Sequence, residues 1–500
     1  MLGAFALSVA MLMNIIDMTI ANVSVPTISG DLGVSPSQGT WIITSYSVAN
    51  AVSVILAGWL SRRFGQVRLM VSAVVMFTLT SLLCGLAPSL QVLVLCRILQ
   101  GLTAGPIIVL TQPLLLQSYP PEKMSMALSL YIMTTMIAPV IGPVIGGALT
   151  DGLSWHWIFY INLPVGLLCA PMIWRIYSKR ESPTTRTPVD YVGLCFLVIA
   201  IGALQLFLEN GRDHDWFSSD FIIELIAIAI VSSLYFIAWD RDSPHPIVDP
   251  TALQHRNFIV GTLIMSLSFG CFIGNSLTTT IWLQQYMGYT ATWAGLTMVP
   301  GSLLTLLFTP LTGRLMQRYD LRLGTIVGVL VLAFAFYTRS TFTSNTDLGS
   351  IILAQMYLGI GMGIFFVPVM TLSMQGIPPE RLAGASSLIA FFRYLGGSVA
   401  ASLLITLWEA RAGHHATRLY EGLHDYNPLY RMTADDLANH IPDAQGTMQF
   451  FRQRALLEAN TWGLDDAALC CAIVFFSMLL LTMFARRPKA STPAVRTPME

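Results

Sequence analysis

Gly58-Trp59-Leu60-Ser61-Arg62-Arg63-Phe64 is echoed 255 residues later by Gly313-Arg314-Leu315-Met316-Gln317-Arg318-Tyr319. Two further echoes keep nearly the same register. Gly101 and Gly105 return as Gly359 and Gly363, and Pro120-Pro121-Glu122-Lys123 returns as Pro378-Pro379-Glu380-Arg381, each 258 residues on. Three matches in similar apolar surroundings predict a duplicated architecture. In each copy the basic glycine loop joins spans two and three of a six-span half, and the Pro-Pro-Glu turn joins spans four and five. That is a parallel repeat about an axis along the membrane normal.

The runs around these echoes are long and apolar. Of the 500 residues, 54% are hydrophobic and 11% charged, against roughly a quarter charged in a soluble domain. Such a chain has too little polar surface to face water. Stretches able to cross a hydrocarbon core of about 30 Å fall near 3–27, 41–60, 69–88, 93–116, 124–149, 157–177, 190–209, 221–239, 258–283, 293–313, 323–341, 349–372, 382–408 and 464–485. They predict an all-α polytopic membrane protein with fourteen transmembrane helices: two six-helix bundles and two extra central helices. The expected divisions are a first bundle over 1–178, a linker with a membrane hairpin over 179–257, a second bundle over 258–486 and a tail over 487–500. The first span has no basic residues before its apolar run and carries Asp17 in its middle, so it reads as a retained helix, not a secretory signal. The chain opens almost inside that span: either a few residues precede it or the start is short.

Charge supplies an independent test. Lys and Arg in short loops collect on the cytoplasmic side. With the N-terminus inside, eighteen of them fall in cytoplasmic segments and two, Arg212 and Arg339, in short outer loops. Both termini are therefore expected in the cytoplasm. The long outer loop expected at 409–463 has mixed charge, and it reads either as a solvated connector or as a periplasmic docking surface. The 27 basic and 27 acidic residues balance, which gives no sign of nucleic-acid binding. All seven cysteines lie in apolar spans without metal-ligand spacing, so they read as small core residues. No phosphate-binding Gly-x-x-x-x-Gly-Lys-Ser/Thr loop occurs, and no stretch is large enough for an ATPase domain. No cofactor is expected, and the energy source is expected to be an ion gradient.

A few residues stand out against the apolar background. Asp17 sits in the first span, where a carboxylate is expensive and normally faces a cavity or a partner. Ala10, Asn14, Asp17, Ala21 and Ser24 share one small or polar stripe, which favours a cavity over a structural cap. A carboxyl that changes environment between conformations can take up a proton in one and lose it in the other. Arg97, followed by Gln100 and Gly101, is the basic residue of the fourth span. It cannot carry the proton itself; it either tunes a carboxylate or snorkels to the interface. Arg393 is its counterpart in the thirteenth span. Glu209 ends the seventh span beside Asn210-Gly211, either solvated or proton-coupling. In the fifth span Pro139, Gly142, Pro143, Gly146 and Gly147 interleave helix-bending prolines with close-packing glycines.

These residues carry a specific likeness over nearly the whole chain. Asp17-Met18-Thr19-Ile20-Ala21-Asn22-Val23 with Pro26, Arg97-x-x-Gln100-Gly101, Gly142-Pro143-x-x-Gly146-Gly147 and Trp155-His156-Trp157-Ile158-Phe159-Tyr160-Ile161-Asn162-Leu163-Pro164 resemble the motifs of the fourteen-span drug/proton antiporters of the major facilitator superfamily. The likeness is closest to the EmrB-type inner-membrane exporters. One departure is Arg62, which stands where the loop after the second span usually carries an acid; Gly58 and Gly65 remain. The resemblance implies proton-driven export of varied hydrophobic compounds. It also implies a periplasmic EmrA-like membrane-fusion adaptor and a TolC-like outer-membrane channel as partners. It leaves open an exporter of one physiological lipophilic substrate, such as a fatty acid, bile salt or siderophore. A passive channel fits the buried acid and the repeat less well, and no residue pattern suggests an enzyme.

Overall fold

The computed structural model describes residues 2–119, 130–131, 134–135, 138, 141–142, 145–150, 152–184, 190–211, 214, 216–243, 250–316, 319–378, 381–423, 430, 432–433 and 444–484. Among them thirteen helices are long and apolar enough to cross a membrane. We number them α1 Leu2–Asp31, α2 Trp41–Phe64, α3 Gln66–Gly85, α4 Leu90–Gln117, α5 Asn162–Tyr177, α6 Tyr191–Asn210, α7 Asp220–Asp242, α8 Arg256–Gln285, α9 Ala291–Leu315, α10 Leu321–Arg339, α11 Leu348–Met374, α12 Leu382–Glu421 and α13 Ala444–Met483. Of the fifth span, expected at 124–149, the described residues between 130 and 149 are helical, and 124–129 lie outside the described residues. Pro139, Pro143 and both Pro-Pro-Glu turns lie wholly or partly outside the described residues.

The packing repeats as the sequence does. In the first half α2 and α3 both pack on α4, α3 packs on α5, and α1 on α4 and α5; in the second, α9 and α10 pack on α11, α10 on α13, and α8 on α11 and α13. Glycines set the shared α2–α4 and α9–α11 crossings. A Cβ on Gly101 would stand 2.5 Å from the Tyr46 carbonyl oxygen, and one on Gly359 would collide with the backbone of Gly301. Each crossing also carries a hydroxyl bonded to a backbone carbonyl: Ser53 to Leu102, and Thr305 to Gly359 at 2.9 Å.

The two extra helices pack as a hairpin across the seam between the halves. Leu197 and Ile201 of α6 meet Ala51, Val52 and Ile55 of α2, while Ser402 of α12 donates to the Leu208 carbonyl at 2.6 Å. The outer helix α7 leaves Ile230, Val231, Leu234 and Ile237 exposed, as a lipid-facing helix should.

Arg62, Arg63 and Arg68 mark what we call the basic end of the bundle; the opposite end is the far end. At the basic end α2 crosses α12 closely. A Cβ on Gly58 would lie 3.1 Å from the Gly384 Cα, and Ser387 donates to the carbonyls of Val54 and Ile55 at 2.6 and 3.0 Å. Gly65 is held at φ 90°, a conformation that favours glycine, and a Cβ there would collide with Glu181. The Glu181 carboxylate accepts from the backbone N–H groups of Val67 and Arg68 at 3.0 and 2.9 Å, capping α3 from a distant segment.

Two expectations change at the far end. Much of the stretch expected as a loop at 409–463 is helical, because α12 runs on to Glu421 and α13 begins at Ala444. Each helix has 40 residues and is about 60 Å long at ~1.5 Å per residue, roughly twice the hydrocarbon thickness. The extensions hold together along a seam of small residues at four-residue spacing. Ala412 and Ala416 of α12 are buried, as are Ala455 and Ala459 of α13, and a Cβ on Gly463 would lie 2.8 Å from the Trp408 carbonyl oxygen. Asp466 ties the pair, accepting from Arg411 at 2.6 Å and meeting His415 at 2.9 Å. Arg339, expected in an outer loop, is the last residue of α10 and is 3% exposed.

Candidate functional site

Asp17 and Arg97 meet inside the first half. Asp17 is 1% exposed, and Arg97 Nη1 donates to its Oδ2 at 2.7 Å. Gln100, one turn along α4, donates to the other carboxylate oxygen at 2.9 Å and accepts from Arg97 at 2.8 Å. Asn162, at the start of α5, donates to the same Asp17 oxygen at 2.6 Å and to the Ser81 hydroxyl at 3.0 Å. Arg97 also donates through Nε to the Ile42 carbonyl and lies 4.2 Å above the Tyr46 ring. Helices α1, α2, α3, α4 and α5 thus converge on one ion pair. Burying two charges costs several kcal/mol each, and only dense hydrogen bonding offsets that cost.

This geometry decides between the two readings of Arg97: it does not snorkel. It also corrects the orientation expected for Asp17. The central cavity, ≈ 390 Å³ in volume, takes Ile15, Met18 and Thr19 from α1, whereas Asp17 points away from it into the half's own core. The stripe from Ala10 to Ser24, expected to face a cavity, is buried, and so are Met13, Ile16 and Ile20 on another face of α1. With α1 packed on several sides, polarity alone did not say which face meets the cavity. Asn14 is 1% exposed and likewise outside the cavity wall.

The cavity lies between the halves in the far half of the bundle. Its walls include Ile43 of α2, Phe269, Phe272 and Ile273 of α8, and Tyr394, Gly397 and Ile405 of α12. Hydroxyls of Thr19, Thr44, Ser47, Thr135, Ser398 and Ser402 interrupt the apolar surface. Among its described lining residues the one charged side chain is Glu209, brought in by α6 of the extra hairpin and hydrogen-bonded to Thr44 and Ser47. The solvated reading of Glu209 therefore gives way to a half-buried position on the cavity wall.

Arg393 lies just behind that wall. It is 2% exposed, donates to the Tyr131 hydroxyl at 3.4 Å, and stacks near Phe269 and Tyr394 at 5.2 and 5.6 Å. Gly142 and Gly146 press on α1, where a Cβ on Gly146 would lie 2.7 Å from Ile20 and one on Gly142 would collide with Thr19. Gly147 departs from its expected packing role, for a Cβ there would meet nothing within 4 Å. Ser24 and Thr150 close the same interface at 2.8 Å. Two contributors have no assigned role in the sequence reading: Asn162, which enters it only as part of the motif before the sixth span, and Glu181, whose partner segment is more than a hundred residues away.

Known proteins agree with this architecture. The Major Facilitator Superfamily profile matches residues 7–401. The multidrug export protein EmrB of Haemophilus influenzae is 41% identical, covering 97% of this chain and 95% of its own length. The fatty acid resistance protein FarB of Neisseria gonorrhoeae is 42% identical over the same shares. Among solved structures, the human organic anion transporter MFSD10 superimposes with a TM-score of 0.60 at 12% identity, covering 96% of this chain and 98% of that one. That likeness speaks for the fold alone. From its paired halves, its extra hairpin and its near full-length kinship with the export proteins, the chain belongs to the major facilitator superfamily, within the EmrB-type group of multi-pass membrane transporters.

Proposed function

We propose that the protein is a proton-driven antiporter that exports hydrophobic drugs and toxic compounds across the bacterial inner membrane. The observation that carries this reading is the cavity between the halves: apolar and aromatic walls, scattered hydroxyls and one carboxylate, Glu209. Such a lining takes lipophilic cargo without demanding one shape. Asp17, with Arg97, Gln100 and Asn162, is the proton-coupling centre in this reading, and Glu209 reports cargo to it across α1 and α2. The basic end faces the cytoplasm, both termini lie there, and the closed α2–α12 crossing leaves the cavity on the periplasmic side.

The α12–α13 extension then stands in the periplasm as the docking element for an EmrA-like adaptor, with a TolC-like channel completing a tripartite pump. A rigid helical pair suits docking better than an irregular connector. A second reading, export of one physiological lipophilic substrate, draws on the kinship with the fatty acid resistance protein FarB.

Proteoliposomes with inside-out orientation and an imposed pH gradient test the proposal. Lipophilic dyes that carry no proton across the bilayer themselves should accelerate proton movement through the wild type. Asp17→Asn should abolish that acceleration while cargo still binds. Unchanged flux in the variant would move coupling away from Asp17, with Glu209 next to test; no cargo-linked flux in the wild type would defeat the antiport reading. Competition among cargoes for binding separates broad export from a single physiological substrate.

A further inference from the structure

The second half buries a charged constellation of its own. Arg339 ends α10 and is 3% exposed; its Nη2 donates to the Thr279 hydroxyl of α8, and its Nε has no hydrogen-bond partner. Asp465 of α13 stands near it and accepts from the Phe342 backbone, yet its covered Oδ1 has no partner either. A covered carboxylate oxygen and a covered guanidinium nitrogen, each unsatisfied, therefore share one site without bonding to each other. Leaving such groups unpaired costs about 1–3 kcal/mol each, more for charged ones, so this arrangement favours a further ligand, a proton or a bridging water, or a second state.

Its position follows the repeat. In the first half, Asn162 of α5 donates to both Asp17 and Ser81 of α3, and Cys84 of α3 donates to the Gln100 side chain that also holds Asp17. The corresponding helices of the second half, α10 and α13, supply Arg339 and Asp465, while α8, the counterpart of α1, supplies Thr279. The acid has moved from the first helix of the half to the sixth, and the arginine from the fourth to the third.

We propose that Asp465 and Arg339 form a second proton-binding site, placed towards the far end of the bundle. The ligand is the proton itself. With Asp465 protonated, Arg339 rests on Thr279 as observed. When Asp465 loses its proton, Arg339 swings to the carboxylate, drawing α10 toward α13 and away from α8. Besides Arg339, the titratable neighbours are Cys271 of α8, Cys471 and Asp466 of α13, and through Asp466 the Arg411 and His415 side chains of α12. Asp466 is already held by those two partners, which leaves Asp465 as the uncommitted acid. The proposal deepens the antiport reading and rests on it.

The test counts protons released when a lipophilic dye binds to purified protein in weakly buffered detergent. Asp465→Asn should lower the release per dye bound by about half, one of two linked sites having been removed, with dye affinity kept. Asp465→Glu should restore it. Equal release from Asp465→Asn and wild type would overturn this proposal alone; no release from the wild type would overturn the antiport reading with it. If Asp465→Asn does not fold, wild-type protein treated with dicyclohexylcarbodiimide, which attacks protonated carboxyls in apolar surroundings, supplies the decision by peptide mass. Modification at Asp465 that disappears as pH rises supports the site, and an unmodified Asp465 at every pH overturns it.

Discussion

Side by side inside the first half, the Asp17 carboxylate and the Arg97 guanidinium have no water to turn to, so each depends on the other. Removing one partner of such a pair leaves the remaining charge unpaired at a cost of about 3–5 kcal/mol. Asp17→Ala should therefore lower thermal stability in detergent sharply, whereas Asp17→Leu with Arg97→Met should recover most of it, both charges having gone. Neither variant should show cargo-linked proton flux. A double variant that still coupled protons would reduce the pair to a structural device. The existence of this centre was legible in the sequence because a charge in an apolar span is expensive and has to be explained. Its direction was not. Polar residues on α1 form a stripe, but α1 is packed on several sides, and the cavity meets Ile15, Met18 and Thr19 instead. Asn162 left no comparable signal, since an amide at a span's edge costs little until its partner is known. Glu209 was under-read for the opposite reason: the end of a span looks solvated unless a cavity reaches that depth.

At the scale of the element, apolar length located the thirteen described spans to within a few residues, except where helices run on beyond the hydrocarbon. Beyond the membrane, α12 and α13 carry polar and charged residues that read as loop. The recurrence of Ala or Gly every four residues, at 412 and 416 and at 455, 459 and 463, is the signal that two helices continue in contact. Helix starts outside the spans carry their own chemistry. Asp347 caps α11, accepting from the Ser350 hydroxyl at 2.6 Å and its backbone N–H at 3.3 Å, and those bonds hold its carboxyl below the usual carboxylate range. Because the folded state holds that proton less tightly than the unfolded chain, the cap's contribution is present above the unfolded value of about 4. It is lost as pH falls through the folded value. The difference in melting temperature between wild type and Asp347→Ala should thus be greatest near neutral pH and shrink towards zero in acid. A difference that stayed constant with pH would mean that the ionised carboxylate is not what stabilises the helix start.

For the whole molecule the governing feature is that two similar bundles meet differently at their two ends. Around the far half they enclose the cavity; at the basic end the Gly58 crossing brings α2 and α12 to backbone distance. In the proposed export cycle that crossing has to open, because cargo would enter from the side it now seals. A Cβ on Gly58 would stand 3.2 Å from the Ser387 Cβ, near the ~3.8 Å of a disulfide. In a background lacking the native cysteines, Gly58→Cys with Ser387→Cys should cross-link under oxidation and hold the basic end shut. Transport should then stop and return on reduction, while cargo added from the far side should still bind, since the cavity walls are untouched. Loss of transport and binding together would indicate general distortion. Transport at the wild-type rate by the cross-linked protein would show that the two halves need not part at Gly58, and that the route of the cargo lies elsewhere.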